Sequence, residues 1–294
     1  MPVSPIDFRQ ARTGDAPALD PAWLQRLHAT AVKAARAAGR IQKRHFGGAL
    51  QIDAAKRHDL KLAVDRYCQL AMVAVIQQDF PDHGIVAEEK VCLRPEAAYR
   101  WYLDPLDGTL NYALGLPHFC ACAACYVHPP GQGGAAINPW EYPLTGVVYA
   151  PVLDQCFEAL AGGPGLCNGR PIEPGQEREL KEAVVGFSFG SDPVTMRRMH
   201  AISGELAART RKMRLFGATG LDLVYVASGR LSGLVQGCVD PWDFAAGRVI
   251  LAAVGGYFKA QTSGPGQWQI VAAAPGIGPQ LQAVVDRQHI NARR

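Results

Sequence analysis

The chain has 294 residues, of which 48% are hydrophobic and 19% charged, with a formal net charge of +4. That is a globular composition, with enough apolar residues for one large core or two modest ones. So slight a charge leaves no electrostatic footprint for nucleic acid, and no apolar run approaches the ~18 residues of a membrane span.

Residues 1–20 lack the apolar stretch of a secretory signal and read as a flexible N-terminal arm, so a cytoplasmic location is expected. Asp20 followed by Pro21 is a helix start, an N-cap acid with Pro at the first helical position. Leu24, Leu27, Ala31, Ala34 or Ala35, and Ile41 then recur at helical spacing, and Gly47 with Gly48 closes the element. Arg36, Arg40, Lys43, Arg44, Lys56 and Arg57 make this region locally basic, as a solvated face does. A second helix is expected over 64–79, with Val64, Cys68, Ala71 and Val75 on one face. "IVAEEK" is a short strand that stops at Glu88 and Glu89.

Strand signals follow in "YRWYLD", "HFCACAACYV", "LTGVVYA" and "QCFEAL". The stretch "HPPGQGGAAINPWEYP" is a loop by its Gly and Pro content, and "AGGPGLCNGRPI" reads as a surface hairpin. The cluster "CACAAC" has no second Cys pair or His at zinc-finger spacing. Its cysteines are expected as small apolar core thiols, kept reduced without export. Beyond residue 182 strands and helices alternate: "AVVGFSF", the helix after Asp192, "KMRLF", "TGLDLVYVASGR", "LSGLVQGCV", "WDFAAGRVILAAVGG", "GYFKA" and "WQIVAAA". The expected organisation is the arm at 1–20, an α+β half at 21–182, and an α/β half at 183–294.

Chemistry concentrates in "WYLDPLDGTLNY". Asp104 ends a strand there, Pro105 keeps the strand from continuing, Gly108 permits close backbone approach, and Thr109 begins a helix. Two carboxylates this close repel unless a cation lies between them, and a hard divalent cation prefers oxygen donors. Asp104, Asp107 and the Leu106 carbonyl are therefore a candidate Mg²⁺ site, and the amides of Gly108 and Thr109 a candidate anion seat. Glu88, Glu89 and Asp243 stand at other element ends and could complete a two-metal phosphoryl-transfer site. Taken alone, D-P-x-D-G-T also fits an ordinary turn with an Asx cap.

"DPLDGTLNY" resembles the D-P-[IL]-D-G-T-x-N-[FY] signature of the inositol monophosphatase family. "VAEEK" is similar to that family's G-E-E segment, "DPWDFAAGRVILAAVGG" to its W-D-x-A-A-G segment, and "GATGLDLVYVASGRLSG" to its G-S-A-A-L-D-L-A-x-V-A-x-G-R-x-D-G region. The first three stand in the family's order, and the resemblance runs from about Trp23 to about Val271, most of the chain. The resemblance implies an α+β fold, the layered α-β-α-β-α sandwich of the inositol monophosphatase and fructose-1,6-bisphosphatase type. It implies a lithium-sensitive, Mg²⁺-dependent phosphomonoesterase with two or three ions per site, acting as a homodimer on a small phosphorylated metabolite.

Carried across residue by residue, Glu88, Asp104 and the Leu106 carbonyl would hold one ion. Asp104, Asp107 and Asp243 would hold a second, and Glu88 would serve a third through water. Thr109 paired with Asp65 would orient the attacking water. Asp107, Gly108, Thr109, the backbone of Gly217, Ala218 and Thr219, Gln236 and Asp240 would contact substrate. Gln236 stands where the family often has an acid, which weakens the inositol assignment. Other substrates of the same chemistry are 3′-phosphoadenosine 5′-phosphate, fructose 1,6-bisphosphate and histidinol phosphate. Some bacterial relatives instead act as partners of the transcription machinery, with catalysis dispensable. Leu62 replaces a hydroxyl of the family's D-L-V-T stretch, and Ala87 replaces the Gly before Glu-Glu.

Overall fold

The computed structural model describes residues 20–56, 59–89, 91–127, 142–190, 192–264 and 267–291. The N-terminal arm to residue 19, Arg57, and nearly all of "HPPGQGGAAINPWEYP" lie outside them. In chain order the elements are α1 (Pro21–His45), β1 (Ile52–Lys56), β2 (Asp59–Leu62), α2 (Ala63–Asp79), β3 (Gly84–Ala87), β4 (Val91–Leu93), β5 (Tyr99–Asp107), α3 (Thr109–Ala113) and β6 (Cys120–Val127). There follow β7 (Tyr142–Ala150), β8 (Gln155–Leu160), β9 (Leu166–Cys167), β10 (Arg170–Pro171), β11 (Val184–Ser188), α4 (Pro193–Arg209) and β12 (Lys212–Arg214). The last are α5 (Thr219–Ala227), β13 (Gly233–Val239), α6 (Pro241–Ala253), β14 (Tyr257–Gly264), β15 (Gln267–Ala273) and α7 (Gly278–Asn291).

Most expected elements stand where the residue pattern put them. The Asp20 carboxylate accepts from the Ala22 amide at 3.1 Å, so α1 begins at the proposed cap. The Gly-rich stretch after β8 is a hairpin, turned by Asn168 at φ 50° and Gly169 at φ 74°. The β1–β2 hairpin and α7 were not expected from the sequence. β1 lacks a clean alternation, and α7 carries polar residues on much of its surface.

One expectation is corrected. β5 does not stop at Asp104: it runs through Pro105 to Asp107. Its register against β6 jumps from Asp104–Cys122 to Asp107–Cys120, so three residues advance against two. A bulge of this kind leaves a residue without a ladder partner, and Pro has no amide to leave stranded. The Gln42 side-chain amide, reaching in from α1, donates to the Pro105 carbonyl at 2.7 Å and the Cys120 carbonyl at 3.1 Å. The bulge is thus closed by a buried side chain from another layer.

The strands form two main sheets. Eight strands order as β10-β9-β8-β7-β6-β5-β3-β4, and five as β12-β11-β13-β15-β14. Helices α1 and α2 cover one face of the larger sheet, with Leu27, Cys68, Met72, Trp101 and Val147 in that core. Helices α5 and α6 lie between the sheets, where Cys122, Phe157, Leu223, Ile250 and Ile270 meet. Helices α4 and α7 cover the outer face of the smaller sheet, around Val185, Ile202, Val271 and Leu281. The result is the layered α-β-α-β-α sandwich. All strands of the larger sheet precede residue 182 and all strands of the smaller one follow it. The shared layer α5–α6 comes from the second half, so no solvent gap divides the two.

Candidate active site

The site forms where β3 and β5, parallel neighbours, end beside the first turns of α5 and α6. Strand ends release backbone from the ladder, and helix starts present unpaired amides. Both features favour polar chemistry at that edge.

Asp104 and Asp107 sit on either side of the bulge, with only 3% and 8% of their surface exposed. The Asp104 carboxylate accepts from the Leu106 amide at 3.1 Å. Asp107 reaches out of its own strand to α5. Its Oδ1 accepts from the Thr219 amide at 2.9 Å, and its Oδ2 from the Gly220 amide at 2.7 Å. A carboxylate in that position satisfies two open amides and complements the positive helix end. Asp243, in the first turn of α6, accepts from the Asp240 amide at 2.8 Å and is partly open to solvent. Glu88 follows β3 directly, its amide bonded to the Leu103 carbonyl.

The electrostatics couple these acids to one another. Burial pushes Asp104 well above the usual carboxylate range, and the charges of Glu88, Asp107 and Asp243 push it further. Burial, then Asp240 and Glu88, raises Asp243 in the same way. Glu88 is pushed up to about 8 by burial, opposed by Lys61 and reinforced by Asp65, Glu89 and Asp107. Burial raises Asp107 as well, against the hydrogen bonds from Cys120, Gly220 and Thr219. Asp104 is raised by the charges of the other three and Asp243 by those of Glu88 and Asp107, which is the environment a divalent cation relieves.

Thr109 stands over the same edge. Its Oγ1 lies 2.9 Å from the Leu106 carbonyl and 3.3 Å from Asp65 Oδ1. Asp65, three residues into α2, accepts from the Leu62 amide at 2.6 Å. Burial lifts it to about 7, against that bond. Gly108 takes φ +90°, and a Cβ there would lie 2.9 Å from the His118 carbonyl, so this turn requires glycine.

The candidate substrate-side residues divide. Gly217, Ala218 and Thr219 lead into α5 beside Asp107, and Asp240 adjoins Asp243. Gln236 is buried, with its amide 3.5 Å from Asp222 and its Oε1 without a hydrogen-bond partner among the described residues. Leu62 and Ala87 are both buried, packed where the family motif has a hydroxyl and a glycine.

Asn111 and Lys61 carry no sequence expectation, and His118 is expected from the sequence to cap or pack a loop rather than touch substrate. Asn111 donates to the Phe216 carbonyl at 2.7 Å and the His118 carbonyl at 2.9 Å, tying the turn after β5 to the approach to α5. His118 itself pairs with the buried Asp222 at 3.1 Å and stacks on Phe216. Lys61 lies against Glu89 and 3.9 Å from Glu88. Lys61 stands at the Val of the family's D-L-V-T stretch, and that departure was the available signal.

Against known proteins, the sequence model of the inositol monophosphatase family matches residues 23–289. The chain belongs to that family. It is 32% identical over 259 residues to "Nus factor SuhB" of Pasteurella multocida, covering 85% of this chain and 92% of that protein. It is 30% identical over 240 residues to "Inositol monophosphatase 1" of Solanum lycopersicum, covering 79% and 84%. The crystal structure of the extragenic suppressor protein SuhB of Bartonella henselae superposes with a TM-score of 0.78 at 26% identity, covering 88% of this chain and 98% of that one. An inositol monophosphatase from Anabaena gives 0.73 at 28% identity, covering 90% and 96%.

Proposed function

We propose that this chain is a Mg²⁺-dependent phosphoric monoester hydrolase acting on a small polyol phosphate of the inositol monophosphate kind. The observation that carries the proposal is the electrostatic coupling of Glu88, Asp104, Asp107 and Asp243, acids from three distant segments, of which Asp104 and Asp107 are buried. The donor set fits a hard divalent cation, since the clustered side chains are carboxylates with a backbone carbonyl, Leu106, beside them. Glu88, Asp104 and the Leu106 carbonyl would hold one ion, and Asp104, Asp107 and Asp243 a second, with Glu88 serving a third through water. Bound there, the ions supply Lewis-acid polarisation of the phosphate and acidify a water.

The remaining work falls to the chain. The Thr109 hydroxyl has one proton, shared between the Asp65 carboxylate and the Leu106 carbonyl. A lone pair is left to accept from the attacking water and aim it. The amides of Gly108 and Thr109 receive the phosphate oxygens, and Gly108 is the residue that lets the ester approach the backbone. Asp107, anchored by Thr219 and Gly220, couples the substrate side of α5 to the acids on β5.

A phosphate-release panel on the purified full chain tests the proposal. It should include inositol monophosphate, 3′-phosphoadenosine 5′-phosphate, fructose 1,6-bisphosphate and histidinol phosphate. Turnover of at least one ester, lost with EDTA and depressed by Li⁺, is expected. Asp243→Asn should lower the rate by at least ~10²-fold, because it removes one charge from the cation clamp. Equal turnover in that variant would defeat the site assignment.

The names of the bacterial relatives favour a second reading, a partner of the transcription machinery in which catalysis is dispensable. Arg36, Arg40, Lys43 and Arg44 are exposed on α1 and offer such a partner a basic surface. Complementation with Asp243→Asn separates the two readings: a variant without turnover that still restores the cellular phenotype selects the partner role.

A further inference from the structure

Side chains on a strand alternate faces, so β6 sends Cys120, Cys122 and Ala124 to the middle layer, and Ala121, Ala123 and Cys125 to α1 and α2. The first two thiols therefore face the acid cluster. Cys120 Sγ donates to Asp107 Oδ2 at 3.3 Å, and the Cys120 and Cys122 sulfurs are 3.7 Å apart. All three ligand atoms lie within 4.8 Å of one another, on buried residues. Gly220 lets both groups pack against its backbone. A Cβ there would fall 2.4 Å from Cys122 Sγ and 3.2 Å from Asp107 Oδ2.

These separations are those of a soft-metal site. A tetrahedral ion with Zn–S of about 2.3 Å and Zn–O of about 2.0 Å places two sulfurs about 3.8 Å apart and a sulfur and an oxygen about 3.5 Å apart. The Cys120–Cys122 and Cys120–Asp107 pairs already stand close to those positions and Cys122 lies within 4.8 Å of Asp107, so an ion can enter with modest rearrangement. Mg²⁺ has no use for sulfur, whereas Zn²⁺ and Cd²⁺ prefer it.

We infer that Asp107, Cys120 and Cys122 form a second cation site, selective for thiophilic divalent ions such as Zn²⁺ or Cd²⁺ and sharing Asp107 with the hard-cation cluster. On binding, each thiol gives up its proton to solvent and its sulfur joins the ion as thiolate. No electron is transferred. An ion held there takes Asp107 away from the Mg²⁺ set, so the site is inhibitory; this last consequence rests on the function proposed above, and the binding does not.

The test is a Cd²⁺ titration of the metal-stripped full chain, followed by the thiolate-to-cadmium charge-transfer absorption in the ultraviolet. The band is expected to saturate at one equivalent and to survive in Cys92→Ala and Cys238→Ala, whose thiols lie outside the cluster. In Cys122→Ser, which keeps the side-chain volume, Cd²⁺ affinity should fall at least ~10-fold, as loss of a metal-site partner does. The double variant Cys120→Ser with Cys122→Ser should show no band, with native circular dichroism checking its fold. Absence of the band in the native protein overturns the inference, as does an unchanged band in Cys122→Ser. Cd²⁺ should also inhibit phosphate release in the native protein, and at least ~10-fold more Cd²⁺ should be needed for the same inhibition in Cys122→Ser. A strong band without inhibition of an active enzyme overturns the shared Asp107. A strong band in a protein that hydrolyses no ester leaves the thiol site standing and sinks the hydrolase reading alone.

Discussion

The edge of the larger sheet and the core under α4 and α7 are both buried, yet they are made of opposite materials. The outer core is Val185, Phe187, Met199, Ile202, Leu206, Val271 and Leu281, apolar and closely packed. The site edge holds Asp65, Asp104, Asp107 and Asp222, all with at most 8% of their surface exposed. Burying an ionised carboxylate without full compensation is unfavourable, so the second region subtracts from the stability that the first supplies. The fold carries the loss because the acids sit on elements held from behind by apolar layers.

Four measurements break or sharpen that contrast. The largest effect should come from Asp104→Asn, which lowers turnover at least ~10²-fold through loss of cation charge. The same change should leave the metal-free protein as stable as before or more so, since it removes a buried charge; a large loss of melting temperature would contradict the contrast. Leu281→Ala should do the reverse. It costs about 2–5 kcal/mol of stability by opening a cavity in the outer core and leaves kcat unchanged at a temperature where the variant is folded.

Third comes pH. Asp65 is lifted to about 7 and Glu88 to about 8, both mainly by burial. Their folded-state values exceed the unfolded ones, so the native state binds more protons between about pH 4 and 8, and metal-free stability falls as pH rises. Each such group contributes at most about 1.4 kcal/mol per pH unit in that window. Added Mg²⁺ should therefore raise the melting temperature more at pH 8 than at pH 5; equal shifts at both would argue against a cation held by these acids. The smallest effect belongs to Lys61→Met. Lys61 shares Glu88 with any ion, and its partly exposed pairing is worth at most about 1 kcal/mol, so its removal should tighten Mg²⁺ binding by a few-fold. Calorimetric titration reads it directly, and weaker binding would reverse the assignment.

Much of this was legible beforehand. Acids that recur at the ends of apolar runs, in "VAEEK", "DPLDGT" and "DPWDF", announce a polar edge because strands and helices end where backbone groups need partners. Helix spacing and turn residues placed α1, α2, α5 and α6. The long-range partners of Asn111, His118 and Lys61, namely Phe216, Asp222 and the Glu88–Glu89 pair, were not legible, since each lies at least 27 residues away in the chain.

What the sequence by itself determined is the set of parts: the family motif, the element types around it, and which acids stand at element ends. These are local properties, set by side-chain periodicity, caps and turn chemistry within a few residues. The tertiary structure decided how the parts face one another. The bulge at Pro105 resets the register between β5 and β6, and register decides which face a side chain takes. Only through that reset, with Gln42 bridging the displaced carbonyls, does Asp107 meet the amides of Thr219 and Gly220 with Cys120 and Cys122 beside it. No short stretch of chain contains the information, because each of those contacts is made between residues that sequence keeps far apart or on a strand whose pairing another layer sets.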